Sequence, residues 1–320
     1  MSVLKDIERD LINTLDRCGF MYRIFSRAKT LDSISKKIDK NPLKYSEHGK
    51  KIQDILGLRI VFYFASDVRI FSNLLRSEPN FDNISDSENE FKEKIQLCKD
   101  CEHYSNVKFE ELFRPVRLNM VFKIPSDLID EFKNEISYLG EDRVKLIDYT
   151  YEVQIRSVLS EGWHEIEHDL RYKYQSEWIG FEEQSRTLNG IYAALESHES
   201  AMEMLFEKKA YAHYKNKEWE SLLKNHLRLR ISSKPLRNEL KKILDASPNN
   251  AKSLIRCSRH NVIKSLYTYR KSFIISLDNL VFLINRISES SIEQIKALES
   301  VLIASKLDEI IQKNQNSLGQ

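Results

Sequence analysis

Three runs of strand length that are rich in β-branched and aromatic residues, Leu58–Phe64, Val116–Ile124 and Ile147–Arg156, all fall in the first half of this 320-residue chain. Branched and aromatic side chains suit a pleated, half-buried surface, so each run predicts a strand. Between them the apolar spacing is helical, at Val68–Leu75 and Leu128–Ser137, and Ser126 or Asp127 is expected to cap the second helix. Val3, Leu4, Ile7, Leu11, Ile12 and Leu15 recur every three to four residues and predict an amphipathic entry helix within 2–25. After Lys173 the spacing of Leu188, Ile191, Leu195, Met202, Leu205 and Phe206 is helical and no strand-like run follows, while Pro235 and Ser247-Pro248-Asn249-Asn250 punctuate short helices. The expected fold is therefore α+β, a mixed sheet flanked by helices, followed by an all-helical C-terminal region. The chain divides into an N-terminal helix (1–20), a central domain (21–180) and the helical region (181–320), with a break near 175–183 or 231–236.

No run of about 18 apolar residues occurs, and the first residues lack the basic-then-apolar form of a signal peptide. A cytoplasmic protein with no membrane partner is expected. Four cysteines in a chain this long do not make a disulfide framework. Cys98, Cys101 and His103 give only three zinc-type ligands, so an incidental pair of thiols is the preferred reading. Net charge is only +2, but residues 211–271 hold 15 Lys/Arg against four acids, leaving residues 1–210 at −7. That basic tract suits RNA, with Tyr211, Tyr214, Tyr267 and Tyr269 available for stacking, or an acidic protein.

In Tyr151-Glu152-Val153-Gln154-Ile155-Arg156-Ser157 a strand would place Glu152, Gln154 and Arg156 on one face, because side chains two apart point the same way. On the residues alone this is equally a solvated edge. The run continues into Trp163-His164-Glu165-Ile166-Glu167-His168-Asp169-Leu170-Arg171-Tyr172-Lys173. Upstream stand Asp54-Ile55-Leu56-Gly57-Leu58-Arg59 and Arg27-Ala28-Lys29-Thr30-Leu31-Asp32-Ser33-Ile34-Ser35-Lys36-Lys37. In this order and spacing the three segments resemble the synthetase domain of RelA/SpoT-type alarmone synthetases, over roughly residues 20–175.

The resemblance implies a nucleotidyltransferase-like fold and an ATP-dependent pyrophosphotransferase that uses Mg²⁺, with GDP or GTP as acceptor. It implies Asp54 as the main magnesium ligand, with Glu152 as a second ligand or as the group that helps deprotonate the acceptor hydroxyl. Arg27 and Arg59 would sandwich the ATP adenine while Lys29, Ser33 and Lys37 hold its phosphates. Gln154, Arg156, His168 and Lys173 would support the acceptor. The family's acceptor loop, Gly-Tyr-x-Ser-x-His, departs here to Leu112-Phe113-Arg114-Pro115-Val116-Arg117, so Phe113 replaces the stacking tyrosine and Arg117 the histidine. With no His-Asp hydrolase domain ahead of the match, the chain resembles small alarmone synthetases, including toxin-like or antiphage members that pyrophosphorylate the tRNA 3′ end. A non-catalytic nucleotide- or RNA-binding regulator is the other reading. If Phe113 stacks on the acceptor base, Phe113→Ala weakens acceptor use by about 1–3 kcal/mol in steady-state kinetics and leaves ATP binding unchanged. A variant that melts early with an unaltered acceptor KM identifies a core residue instead.

Overall fold

The computed structural model describes residues 1–40, 45–46, 49–82, 118–247, 249–271 and 273–316. The chain forms two compact units: residues 1–11 with 22–199, and residues 12–21 with 200–320. Helix α1 (Ser2–Cys18) contributes to both.

The first unit is built on four strands, β1 (Tyr22–Ala28), β2 (Leu56–Phe62), β3 (Leu118–Lys123) and β4 (Thr150–Ser157), in the order β1-β2-β4-β3. Both outer pairings are antiparallel and the central β2–β4 pairing is parallel. The register aligns apolar side chains in rows: Leu56 with Tyr151 and Phe122, Leu58 with Val153 and Met120, Ile60 with Ile155 and Leu118. All nine are buried, and Phe62 at the end of β2 meets Phe71 of α3 (Ala65–Leu75), ring centroids 5.4 Å apart. With Ile70, Leu74 and Leu75 also buried, α3 supplies much of this unit's core. Alternation then forces β2 and β4 to turn their polar residues to the opposite face.

Three local expectations need correction. Tyr22–Ala28 is a strand and not the end of the entry helix. Alternation is broken at Ile24-Phe25 and Ser26-Arg27, and the pairing of the run with β2 is what sets it as a strand. Leu31–Lys40, for which no element was expected, forms helix α2. Neither Ser126 nor Asp127 caps α4 (Ile129–Ile136); a single 3₁₀ turn at Ser126–Leu128 enters it, closed by Leu128 N–H donating to Pro125 O at 2.9 Å. The Cys98, Cys101 and His103 group lies outside the described residues.

Among the described residues every regular element of the second unit is a helix, as the spacing predicts. Two of the four tyrosines expected to stack on RNA are buried. Tyr267 and Tyr269 sit on the inward side of the Arg259–Thr268 helix and its end, with Arg270 over the Tyr267 ring at 4.3 Å and the Tyr269 hydroxyl donating to Glu309 O. Tyr211 is exposed and stacks with Tyr214. Several of the cations are also committed: Arg228 is buried beside Glu203 (3.5 Å), Arg237 pairs with Asp278 (2.9 Å) and Lys241 with Glu220 (2.6 Å). Among the described residues no helix is long and apolar enough to cross a membrane.

Gly19 ends α1 with φ +74°, and its N–H donates to Asp16 O (3.0 Å) while Phe20 N–H reaches Leu15 O (3.1 Å). A Cβ there would meet Ile275 Cδ1 at 2.9 Å, Leu229 Cβ at 3.2 Å and the Arg230 carbonyl at 3.3 Å. Gly19→Ala is therefore expected to lower unfolding free energy by at least ~1–2 kcal/mol, the cost of a left-handed non-glycine residue, in urea denaturation. An unchanged midpoint contradicts this packing.

Candidate active site

On the polar face the same register produces two rows across the sheet. One runs Arg27, Gly57, Glu152, Val121; the next runs Phe25, Arg59, Gln154, Asn119. Arg27 and Arg59 thus stand on neighbouring strands, two residues out of register on one face, and Glu152, Gln154 and Arg156 share that face of β4.

These polar groups bond to one another. Gln154 Oε1 accepts from Arg59 Nε at 3.3 Å and from Arg156 Nη2 at 3.2 Å, while its amide nitrogen donates to Glu152 Oε2 at 3.3 Å. Helix α5 (Val158–Glu167) closes the arrangement. Ser157 ends β4 and also caps α5, accepting from Ser160 N at 3.1 Å, so the helix starts with no intervening loop. Glu161, one turn in, accepts from Arg59 Nη1 (2.6 Å) and Arg156 Nη1 (3.0 Å); Glu165, one turn further, accepts from Arg59 Nη1 (2.6 Å). The sequence reading missed both glutamates. Their i, i+4 spacing is shared by any solvated helix face, so the residues alone do not mark them.

Asp54 lies just before β2, where Lys29 follows β1 and Lys37 lies on α2. Lys29 and Lys37 both donate to its carboxylate, Lys37 at 2.9 Å to each oxygen. Burial works to raise the Asp54 pKa, but the two ammonium groups hold it below the usual carboxylate range. Burial and then the Asp54 charge raise Glu152 above an ordinary glutamate. The two carboxylates therefore feel one another. Among the described residues no three His, Cys, Asp or Glu side chains gather to hold a metal. A pair of hard carboxylate oxygens nevertheless suits Mg²⁺, which keeps several waters and takes its remaining ligands from phosphate.

Ser33 bonds with Thr30, Oγ to Oγ1 at 2.9 Å, on the first turn of α2. His168 and Lys173 are not joined to the strand network by any bond described here: both meet Asp169, at 2.8 and 2.6 Å, in and just after a π-helical turn at His168–Tyr172. Phe113 and Arg117 lie outside the described residues.

Residues 26–177 match the model for the region found in RelA / SpoT proteins. The chain carries a RelA/SpoT domain. That domain is built on a mixed four-stranded sheet flanked by helices. Similar solved structures include a GTP pyrophosphokinase family protein from Streptococcus pneumoniae, 19% identical, covering 63% of this chain and 87% of that one with a TM-score of 0.42. Small alarmone synthetase 1 from Bacillus subtilis is similar at 18% identity, 63% and 90% coverage and a TM-score of 0.41, and its AMPCPP-bound form at 18%, 63%, 90% and 0.38. No curated protein matches the chain. The match begins inside β1 and ends past the π-helical turn, so the polar side chains named from Arg27 to Lys173 fall within it.

Because Gln154 Oε1 serves two arginines, one of them buried, Gln154→Ala leaves both guanidinium groups short of an acceptor. The expected loss is about 1–2 kcal/mol in urea unfolding. A variant as stable as the wild type contradicts the sharing of that oxygen.

Proposed function

We propose that this RelA/SpoT domain moves the β,γ-diphosphate of ATP to the 3′-hydroxyl of a guanine nucleotide, GDP or GTP, in the cytoplasm. The observation that carries the reading is the convergence on one side of the sheet of a lysine-flanked aspartate, a half-buried glutamate of raised pKa and arginines from three strands. Pyrophosphoryl transfer asks a protein mainly for charge and alignment, and this is an array of charge held by strands.

In the reaction the acceptor 3′-oxygen bonds to the β-phosphorus, the bond from that phosphorus to the bridging oxygen breaks, and AMP leaves with the electron pair. The hydroxyl proton must go to a base. Glu152 is suited to that task, since burial and the neighbouring Asp54 strengthen its hold on a proton. Asp54, kept anionic by Lys29 and Lys37, would hold Mg²⁺ beside it. When bound, the ion neutralises charge developing on the phosphate oxygens. Lys29 and Lys37 then turn from Asp54 to the phosphates, with Ser33 nearby at the start of α2, while Arg27 and Arg59 present flat guanidinium surfaces to the adenine. Gln154 and Arg156, with Phe113, Arg117, His168 and Lys173, are assigned to the acceptor.

The basic segment 211–271 supports a second reading in which the acceptor is a tRNA 3′ end, and Tyr211 with the exposed lysines would be its grip. One assay separates the two. Protein is incubated with γ-labelled ATP, Mg²⁺ and, separately, GDP, GTP or total tRNA, and the labelled species is identified. Label on a guanine nucleotide is expected. Asp54→Asn and Glu152→Gln should each lower the rate roughly 10²–10³-fold with little change in melting temperature. Label confined to tRNA replaces the acceptor, and activity within tenfold of wild type in either variant overturns the site.

A further inference from the structure

We infer that Glu161 is a positioning residue common to the donor and acceptor subsites, a role that rests on the donor and acceptor assignments proposed above. Arg59 and Arg156 come from adjacent parallel strands and both lean on one oxygen of Gln154, at 3.3 and 3.2 Å. Two guanidinium cations on one neutral amide repel each other unless an anion lies between them. Glu161 is that anion. One carboxylate oxygen takes Arg59 Nη1 at 2.6 Å and the other takes Arg156 Nη1 at 3.0 Å, so a single carboxylate spans both strands.

The surroundings fit a fixed support. The Glu161 side chain is 16% exposed and that of Arg156 is 5% exposed, and the helix carrying Glu161 begins at the last residue of β4. Charged hydrogen bonds of this kind are stronger than neutral ones and fix the plane of each guanidinium. Glu165 provides an internal contrast, since it is 55% exposed and holds Arg59 alone. If Arg59 serves ATP and Arg156 the acceptor, the two glutamates must differ in what they disturb. Glu161 reaches both substrates through its arginines, and Glu165 reaches only ATP.

The test is two-substrate kinetics on full-length protein with ATP and the acceptor that takes the label. Glu161→Gln keeps the shape and removes the charge; KM is expected to rise at least fivefold for ATP and for the acceptor, with kcat within threefold. Glu165→Gln should raise the ATP KM alone. If the glutamine variant melts more than about 10 °C below wild type, Glu161→Asp replaces it, because the shorter side chain cannot span both arginines, and a rise of twofold or more in both constants is expected. A Glu161 variant that folds with both KM values unchanged, or loses only kcat and thermal stability, overturns the inference and leaves Glu161 a structural residue. Should the wild type transfer no label to any acceptor, the proposed activity fails separately, and Glu161 is judged by calorimetric binding of α,β-methylene-ATP. An unchanged Kd in Glu161→Gln then overturns the positioning role.

Discussion

The parallel pairing of β2 with β4 governs everything else in the first unit. Its register fixes Arg59 against Gln154 and Gly57 against Glu152, and through them the order of charges on one side of the sheet. A shift of one residue would exchange the faces, sending Glu152, Gln154 and Arg156 into the core with Phe71 and Leu74. The rows Leu56–Tyr151–Phe122, Leu58–Val153–Met120 and Ile60–Ile155–Leu118 forbid that slip, since Tyr151, Val153 and Ile155 would leave the core together. Hydrophobic burial on one face thus holds the polar chemistry on the other.

Much of the charge on the polar face is paired within the protein. Lys29 and Lys37 sit on Asp54, and Arg59 sits on Glu161 and Glu165. The Asp54 pairs are about a quarter to a third exposed, so each contributes on the order of 1 kcal/mol at most and is readily exchanged for a phosphate. The Arg156–Glu161 pair is much more enclosed. Breaking a pair of that kind by removing one partner is costly, because the other charge stays behind in a poorly solvated place. The site therefore combines groups that can change partners with a frame that resists change.

Much of the sheet was legible because its strand runs are rich in β-branched and aromatic residues: β2, β3 and β4 were all anticipated within a few residues, as was the shared face of Glu152, Gln154 and Arg156. The first strand was hidden because the apolar period of α1 runs up to Phe20, and only the positive φ of Gly19 marks the change. Glu161 and Glu165 were illegible for a different reason. Read alone, two glutamates on a charged helix are a solvated face; only the sheet register brings Arg59, some hundred residues earlier in sequence, beneath them. The buried positions of Tyr267, Tyr269 and Arg228 likewise depend on how helices meet, which composition does not encode.

AMP appearing together with a diphosphate on an acceptor separates pyrophosphate transfer from other uses of ATP. Phosphorus NMR of a reaction holding protein, Mg²⁺, ATP and GTP should show AMP rising in step with an acceptor that has gained a two-phosphate group. ADP as the product, or ATP consumed with no diphosphate appearing on an acceptor, would contradict the assignment of this face to pyrophosphoryl transfer.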